Sequence, residues 1–262
     1  MLKSIYTPLS GAIAQERVLE IIANNLANVN TVGFKGDGVT FKLLEAEPEK
    51  NYNTPLPPAN FKISMEDILP LRGNEMLYVG VAGVERDLAQ GPAIETKNPT
   101  DFMIEGDGMF AVNTQEGVRY SRSGALGLSP DGILMTQAGH PVLGEKGTIT
   151  LRANAFEVNA RGEIYQDGQL VDRLQLHKFA DDSQLERTGN NYFFFGGPPE
   201  QRSLAESPAI RQGFLEGSNV NAIKNLTAMI TAHRSFEAYQ KAMSNYDKMM
   251  DKSSNQIGEI RG

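Results

Sequence analysis

The chain contains no cysteine, only three histidines, and nowhere the eighteen or so consecutive apolar residues that a membrane-spanning helix requires. Lack of cysteine removes disulfides, thiolate nucleophiles and every zinc site built on sulfur. The histidines, His140, His177 and His233, show no HxxH or HExxH spacing, so no metal site is expected from them. Lysine and arginine number 25 against 32 aspartates and glutamates, and the formal charge is −7. No Lys/Arg-rich run offers the phosphate neutralisation that nucleic-acid binding needs, so nucleic acid is not an expected partner. The opening run MLKSIYTPLSGAIAQERV is broken by Ser10, Gln15, Glu16 and Arg17 and has no uninterrupted apolar segment, which argues against a cleaved secretory signal.

Catalytic signatures are equally scarce. No GxSxG elbow, Walker loop or GxGxxG run is present. Gly106-Asp107-Gly108 lacks the further acids of a calcium loop and reads as a tight turn entering the strand MFAVN. The adjacent pair Asp181-Asp182 does not by itself place two acids across a cleft, as glycoside hydrolysis requires. The sequence therefore gives no reason to expect an enzyme, a cofactor or a metal.

What the 262 residues do contain is two apolar stripes at the ends and a different texture between them. Ile5, Leu9, Ala12, Leu19, Ile22, Leu26 and Val29 recur at helical steps, predicting a helix of about 25 residues with Thr7 as N-cap and Pro8 as first helical residue. Four asparagines, Asn24, Asn25, Asn28 and Asn30, follow closely. Asparagine competes for backbone hydrogen bonds and favours helix ends, and Gly33 can supply the left-handed residue that closes the helix. After Gly217, apolar residues at Ile223, Leu226, Ile230, Phe236, Tyr239, Met243, Tyr246 and Met250 predict a second long helix, capped by Ser218 or Asn219. Its one step of six falls across His233. Stripes of this kind invite a coiled-coil or bundle arrangement, and burying about six large side chains per helix is worth on the order of 10 kcal/mol before chain entropy is subtracted.

The middle is punctuated by Gly106-Asp107-Gly108, Pro130-Asp131-Gly132, Asp167-Gly168 and Gly196-Gly197-Pro198 between short β-prone runs. EIYQDGQLV predicts a hairpin with a two-residue Asp167-Gly168 turn. NYFFFGG predicts a strand with aromatic side chains on both faces between two packed layers. The expected plan is α+β: an N-terminal helix in 1–35, an extended connector in 36–79, an antiparallel β domain in 80–216 and a C-terminal helix in 217–262.

Three runs carry a family resemblance. IANNLANVNTVGFK (22–35) with the following VTF, GFLEGSNVNAI (213–223) leading into MITAHRSFEAYQKAM, and the central DFMIEGDGMFAVNTQEGVRYSRSGALGLSPDGILMTQAGHPVLG resemble, in order and spacing, bacterial flagellar basal-body rod and hook proteins. GHPVLGEKGTI and LEGSNVNAI look more like the proximal than the distal rod protein. The residues matching the terminal motifs are Asn24, Asn25, Leu26, Ala27, Asn28, Gly33 and Phe34, and Ser218, Asn219, Val220 and Asn221. The resemblance implies a structural subunit whose terminal helices form an inner coiled-coil tube and order on assembly, with the β domain outside. It also implies partners: copies of itself, adjacent rod proteins and the flagellar type III export apparatus. The implied location is the periplasmic rod of the basal body, reached without a cleaved signal peptide, and the implied role is torque transmission. In that array Ile5, Leu9, Leu19, Ile22, Leu26 and Val29 would pack with Ile223, Leu226, Ile230, Phe236, Tyr239, Met243 and Tyr246. A different class remains open, a secreted β-domain binding module with a helical oligomerising stalk.

Overall fold

The computed structural model describes residues 6–45, 77–152, 156–181, 184–204 and 209–259. Ile5, Asp182 and residues 46–76 of the expected connector lie outside them. The α+β class expected from the sequence is observed. Helix α1 spans Tyr6–Ala27 and helix α2 spans Ala222–Glu259. No helix among the described residues is long and apolar enough to cross a membrane.

Local chemistry explains where the helices stop and start. At the end of α1, Asn28 donates both its backbone N–H (3.2 Å) and its side-chain Nδ2 (2.9 Å) to the carbonyl of Asn24, satisfying an acceptor the helix leaves open. Gly33 adopts φ +65°, and a Cβ there would fall 2.5 Å from the Ser123 nitrogen, so conformation and space both demand glycine. The cap of α2 is Asn221 rather than Ser218 or Asn219: its Oδ1 accepts from Lys224 N at 2.9 Å. Asn219 is unavailable for capping because its side chain is committed elsewhere, as described below.

The chain divides into two compact units. One comprises Met1–Ala23, Val39–Val84 and Leu226–Gly262. Within it a Cβ at Gly11 would lie 2.6 Å from the Tyr239 ring, so the two helices meet there through a residue with no side chain. Ala12, Ala14, Ile21, Ile22 and Ala232 are buried. Strands β1 (Asp37–Glu45) and β2 (Leu77–Arg86) pair into a ribbon, joined also by Thr40 Oγ1 donating to the Gly83 carbonyl at 3.2 Å. Both described ends of the expected connector are thus strand, built on the β-prone run VTF and on LYVGV.

The other unit, Asn24–Gly38 with Glu85–Asn225, carries the β fold. Its strands are β3 (Ala93–Glu95), β4 (Phe102–Glu105), β5 (Met109–Thr114), β6 (Gly117–Ser121), β7 (Leu126–Leu128), β8 (Leu134–Thr136), β9 (Leu143–Gly144), β10 (Gly147–Thr148) and β11 (Phe156–Val158). They continue with β12 (Glu163–Gln166), β13 (Gln169–Arg173), β14 (Leu176–Phe179), β15 (Leu185–Arg187), β16 (Tyr192–Phe195), β17 (Arg202–Leu204), β18 (Ala209–Gln212) and β19 (Phe214–Glu216). The largest sheet is antiparallel in the order β15-β16-β6-β5-β14-β17. Smaller pairs surround it, among them β18-β4 and β19-β3.

This sheet has a core on each face. Along β5, Phe110 and Val112 enter one apolar cluster while Met109 and Ala111 enter the other. That is the period of two expected of a strand buried on both sides. The aromatic run behaves likewise: Tyr192 joins the first cluster and Phe193 and Phe195 the second, while Phe194 faces outward under the Arg119 guanidinium, 4.8 Å from the ring centroid. The hairpin β12-β13 turns on Asp167 (φ 52°) and Gly168 (φ 77°), the positive pair that a two-residue turn requires.

Because Phe110 is fully enclosed and Phe194 is at the surface, truncating them should separate core from surface. Phe110→Ala is expected to cost about 3–5 kcal/mol of stability and Phe194→Ala about 1 kcal/mol or less, read from urea midpoints at unchanged slope.

Candidate functional site

The residues of the two terminal motifs converge in the β unit, around one carboxylate. Glu216, at the end of β19, is 1% exposed, and Lys35 is 2% exposed. Lys35 Nζ donates to Glu216 Oε1 at 2.7 Å and to the Ala89 carbonyl at 2.8 Å. The Gly91 N–H donates to the same Oε1 at 2.8 Å, and Arg122 Nε donates to Oε2 at 2.5 Å. The Arg122 guanidinium is further held by the carbonyls of Ile104 (2.8 Å), Gly106 (2.6 Å) and Gly108. The turn Gly106-Asp107-Gly108 therefore presents main-chain oxygens to a buried cation from within the fold. Burial pulls the Lys35 ammonium below the usual lysine range, and Glu216 opposes that pull.

Asparagines stitch the surrounding backbone. Asn25 Nδ2 donates to the Asp37 carbonyl at 2.7 Å while its Oδ1 accepts from Asp37 N at 2.9 Å, so one side chain completes a peptide group as a neighbouring strand would. Asn219 does the same across the chain: Oδ1 accepts from Gly36 N at 2.8 Å, and Nδ2 donates to the carbonyls of Asp87 (2.7 Å) and Ala89 (3.2 Å). The Gly33 N–H donates to the Glu216 carbonyl at 2.7 Å, Asn191 Nδ2 to the Val32 carbonyl at 3.1 Å, and Arg187 Nη2 to the Lys35 carbonyl at 2.5 Å. Phe34 is buried beneath Arg187, whose guanidinium carbon lies 4.4 Å from the ring centroid. Ser218 Oγ accepts from Val220 N at 3.2 Å, and Val220 packs beside Gly36. Thr31 Oγ1 donates to Asn28 Oδ1 at 3.1 Å. Asn24 contributes its carbonyl, and Asn24 and Asn30 are exposed. The structure thus brings Asn25, Gly33, Phe34, Asn219 and Val220 together, while Leu26 and Ala27 form the last helical turn.

Sequence reasoning did not single out the charges at the centre, Lys35, Glu216 and Arg122. The signal was present: Lys35 follows Phe34 directly, and Glu216 is wedged between Leu215 and Gly217 inside the quoted run. A charge set among buried neighbours asks for a partner.

The apolar stripes divide by face in the helical unit. Leu19 is half-buried and Ile22 buried, whereas Leu9 is exposed. On α2, Phe236, Tyr239 and Met243 are half-buried and share a face with buried Ala232. Leu226 (46% exposed) and Ile230 (55%) lie on a different face, about 140° around the helix at roughly 100° per residue. The six-residue step across His233 is where the stripe changes face. Ile223 and Tyr246 are also exposed, and α2, with 38 residues against 22 in α1, is too long to be covered by α1 along its length. In the β unit, Leu26 and Val29 are half-buried.

Each histidine has its own local surroundings. His140 Nδ1 lies 3.2 Å from the Tyr192 hydroxyl, and His233 lies 3.4 Å from Glu237 one turn along α2. His177 is buried in β14 against the Tyr120 ring, and burial, helped by the Arg202 charge, pulls its pKa down to about 4.

Three family descriptions match the chain: "Flagella basal body rod protein" over residues 5–35, "Flagellar hook protein FlgE/F/G D1 domain" over 103–171, and "Flagellar basal body rod FlgEFG protein C-terminal" over 211–257. The chain is 31% identical over 260 residues to the flagellar basal-body rod protein FlgF of Caulobacter vibrioides, covering 98% of each chain. It is 32% identical to FlgF of Mesorhizobium japonicum, over 98% of this chain and 99% of the relative. To the flagellar basal-body rod protein FlgG of Buchnera aphidicola it is 33% identical, over 97% of this chain and 99% of the relative. Identity to the two named groups, 31% and 32% against 33%, does not choose between them.

Glu216→Ala leaves two buried cations without their carboxylate and is expected to cost about 3–5 kcal/mol, while adding Lys35→Met recovers part of that by removing one of them. Chemical unfolding of the two variants checks the coupling. His177 has a folded pKa below its unfolded value of 6.5, so the unfolded chain binds the extra proton. Its contribution is complete above about pH 6.5 and is lost as pH falls towards 4, roughly 3 kcal/mol in all. His177→Leu should accordingly flatten the stability–pH curve between those values, measured by urea midpoints at successive pH.

Proposed function

The chain belongs to the flagellar basal-body rod protein family, a structural and non-enzymatic one, and is a structural subunit of the rod; we propose that the apolar faces of α1 and α2 carry its assembly. The observation that carries this reading is the exposed pair Leu226 and Ile230 on a helix whose opposite face is already occupied at Tyr239. Two apolar stripes on one helix need two sets of neighbours. A single chain supplies one set, and further copies supply the other.

In the assembly the helices pack as a coiled-coil tube from Ile5, Leu9, Leu19, Ile22, Leu26 and Val29 with Ile223, Leu226, Ile230, Phe236, Tyr239, Met243 and Tyr246. Contacts between unlike surfaces of identical copies do not close into a ring and so extend helically. Such a tube transmits torque because its helices cannot turn independently once their stripes interdigitate. Copies of the chain and adjacent rod proteins are the partners. The flagellar export apparatus delivers the subunit without a cleaved signal peptide to the periplasmic rod, and the runs GHPVLGEKGTI and LEGSNVNAI favour the proximal position.

Placing two carboxylates on the exposed face tests this. Leu226→Asp with Ile230→Asp should abolish concentration-dependent growth in sedimentation velocity while the melting of the β unit stays unchanged. Oligomers that persist in this variant would remove the helices from the interface. A closed oligomer of fixed size in the parent chain would favour the stalked binding module instead.

A further inference from the structure

Among the described residues several strands end a sheet, and for two short ones, β3 and β17, the ladders define which atoms the outer edge offers. In β3-β19 the Gly217 N–H donates to the Pro92 carbonyl at 2.8 Å and the Thr96 N–H to the Gly213 carbonyl at 2.9 Å, flanking the register Ala93↔Glu216, Ile94↔Leu215, Glu95↔Phe214. Antiparallel pairs alternate between hydrogen-bonded and open. Ile94 therefore bonds to β19, and the peptide groups of Ala93 and Glu95 point away from it. All three residues of β3 are exposed, Ile94 by 47%, and among the described residues no strand lies on that outer edge.

The same logic applies to β17, the last strand of the six-stranded sheet. Ala180 N–H donates to the Gln201 carbonyl at 3.0 Å, and the register Phe179↔Arg202, Lys178↔Ser203, His177↔Leu204 then directs the peptide groups of Arg202 and Leu204 outward. This strand too is exposed throughout, Leu204 by 52%. The pairing of β14 with β5 agrees: Ala111 N–H donates to the Gln175 carbonyl, which turns the His177 peptide groups towards β5 and away from β17.

Each edge thus offers two outward residues at a spacing of two, 93 and 95 on one, 202 and 204 on the other. We propose that the β3 edge of one copy pairs antiparallel with the β17 edge of the next, with Ala93 opposite Leu204 and Glu95 opposite Arg202. In that register both pairs are of the hydrogen-bonded kind, giving four main-chain bonds. The single carboxylate of β3 then stands opposite Arg202, the single guanidinium of β17. The Arg202 Nη1 donates to the Tyr120 hydroxyl at 2.6 Å, and its remaining N–H groups are the donors left for an oppositely charged cross-strand neighbour. The parallel alternative sets Glu95 beside Leu204 and forfeits that match. A second copy of this chain is the fitting occupant because the chain itself carries both complementary edges, and joining unlike edges gives a contact that propagates without closing. The inference rests on the assembly reading above and adds to it a joint between β units, independent of the helices.

The absence of cysteine makes the test clean. In the full chain, Ala93→Cys and Leu204→Cys together place one thiol on each edge, and opposite residues of a hydrogen-bonded pair have Cα atoms about 5.5 Å apart, within disulfide range. Mild oxidation of the concentrated protein should give a disulfide-linked ladder extending beyond the dimer on a non-reducing gel. Ala93→Cys with Val118→Cys, a similarly exposed position on β6, should stop at the dimer. Adding Glu95→Pro removes one outward donor and the carboxylate opposite Arg202 without touching a bond to β19, and should lower the ladder yield by at least roughly tenfold, the worth of about one hydrogen bond. Unchanged thermal midpoints in all variants verify that the fold is intact. A ladder no longer than the control's overturns the edge pairing. If oligomers sensitive to Leu226→Asp and Ile230→Asp are still seen, the helix-based assembly stands; if those are missing as well, it falls too.

Discussion

A carboxylate buried to the last few ångströms of its surface fixes how this chain is put together. Glu216 comes from the end of the β unit's last strand, yet its oxygens are shared by Lys35 from the turn after α1, Gly91 from the segment after β2 and Arg122 directly after β6. Burying these charges is costly, and the pairing repays that cost only when all partners are present. The network therefore serves less to add stability than to make four distant segments of sequence mutually dependent. Around it Asn25 and Asn219 complete backbone groups that neither sheet nor helix satisfies.

This dependence sits in the β unit, where the last turn of α1 and the first of α2 also belong. The remaining helical residues meet through Gly11 and Tyr239 and leave Leu226 and Ile230 exposed. The proposed assembly draws on both properties: an ion-pair network complete within the β unit, and helices whose exposed apolar residues neighbouring copies would cover. The chemistry of the two regions differs accordingly. The network in the β unit is held by directional hydrogen bonds and buried ion pairs, and the helices by non-directional apolar area of a kind that copies can share.

Much of this was legible in the sequence. Periodicity marked both helices, Asp167-Gly168 marked its hairpin, and alternation of Tyr192, Phe193 and Phe195 marked a strand buried on both faces. Local signals sufficed because those features depend on neighbours in sequence. The cap of α2 was misplaced because Ser218, Asn219 and Asn221 are all good capping residues, and the choice among them is made by Gly36, Asp87 and Ala89, far away in the chain. Lys35 and Glu216 stand 181 positions apart, and no local pattern joins them. On α2 the six-residue step across His233 breaks the stripe in the sequence, and the packing of Tyr239 against Gly11 decides which half is occupied and which exposed.

Peptide-resolved hydrogen exchange on the full chain, dilute and then assembled, tests the central claim most directly. A β unit closed on its own ion-pair network, with helices awaiting neighbours, predicts slow exchange in 24–38 and 213–219 in both states. It predicts fast exchange in 226–252 when dilute and strong protection there on assembly. Protection of 226–252 equal to that of the β unit in the dilute chain would mean that one molecule already satisfies its helices, and would contradict the account.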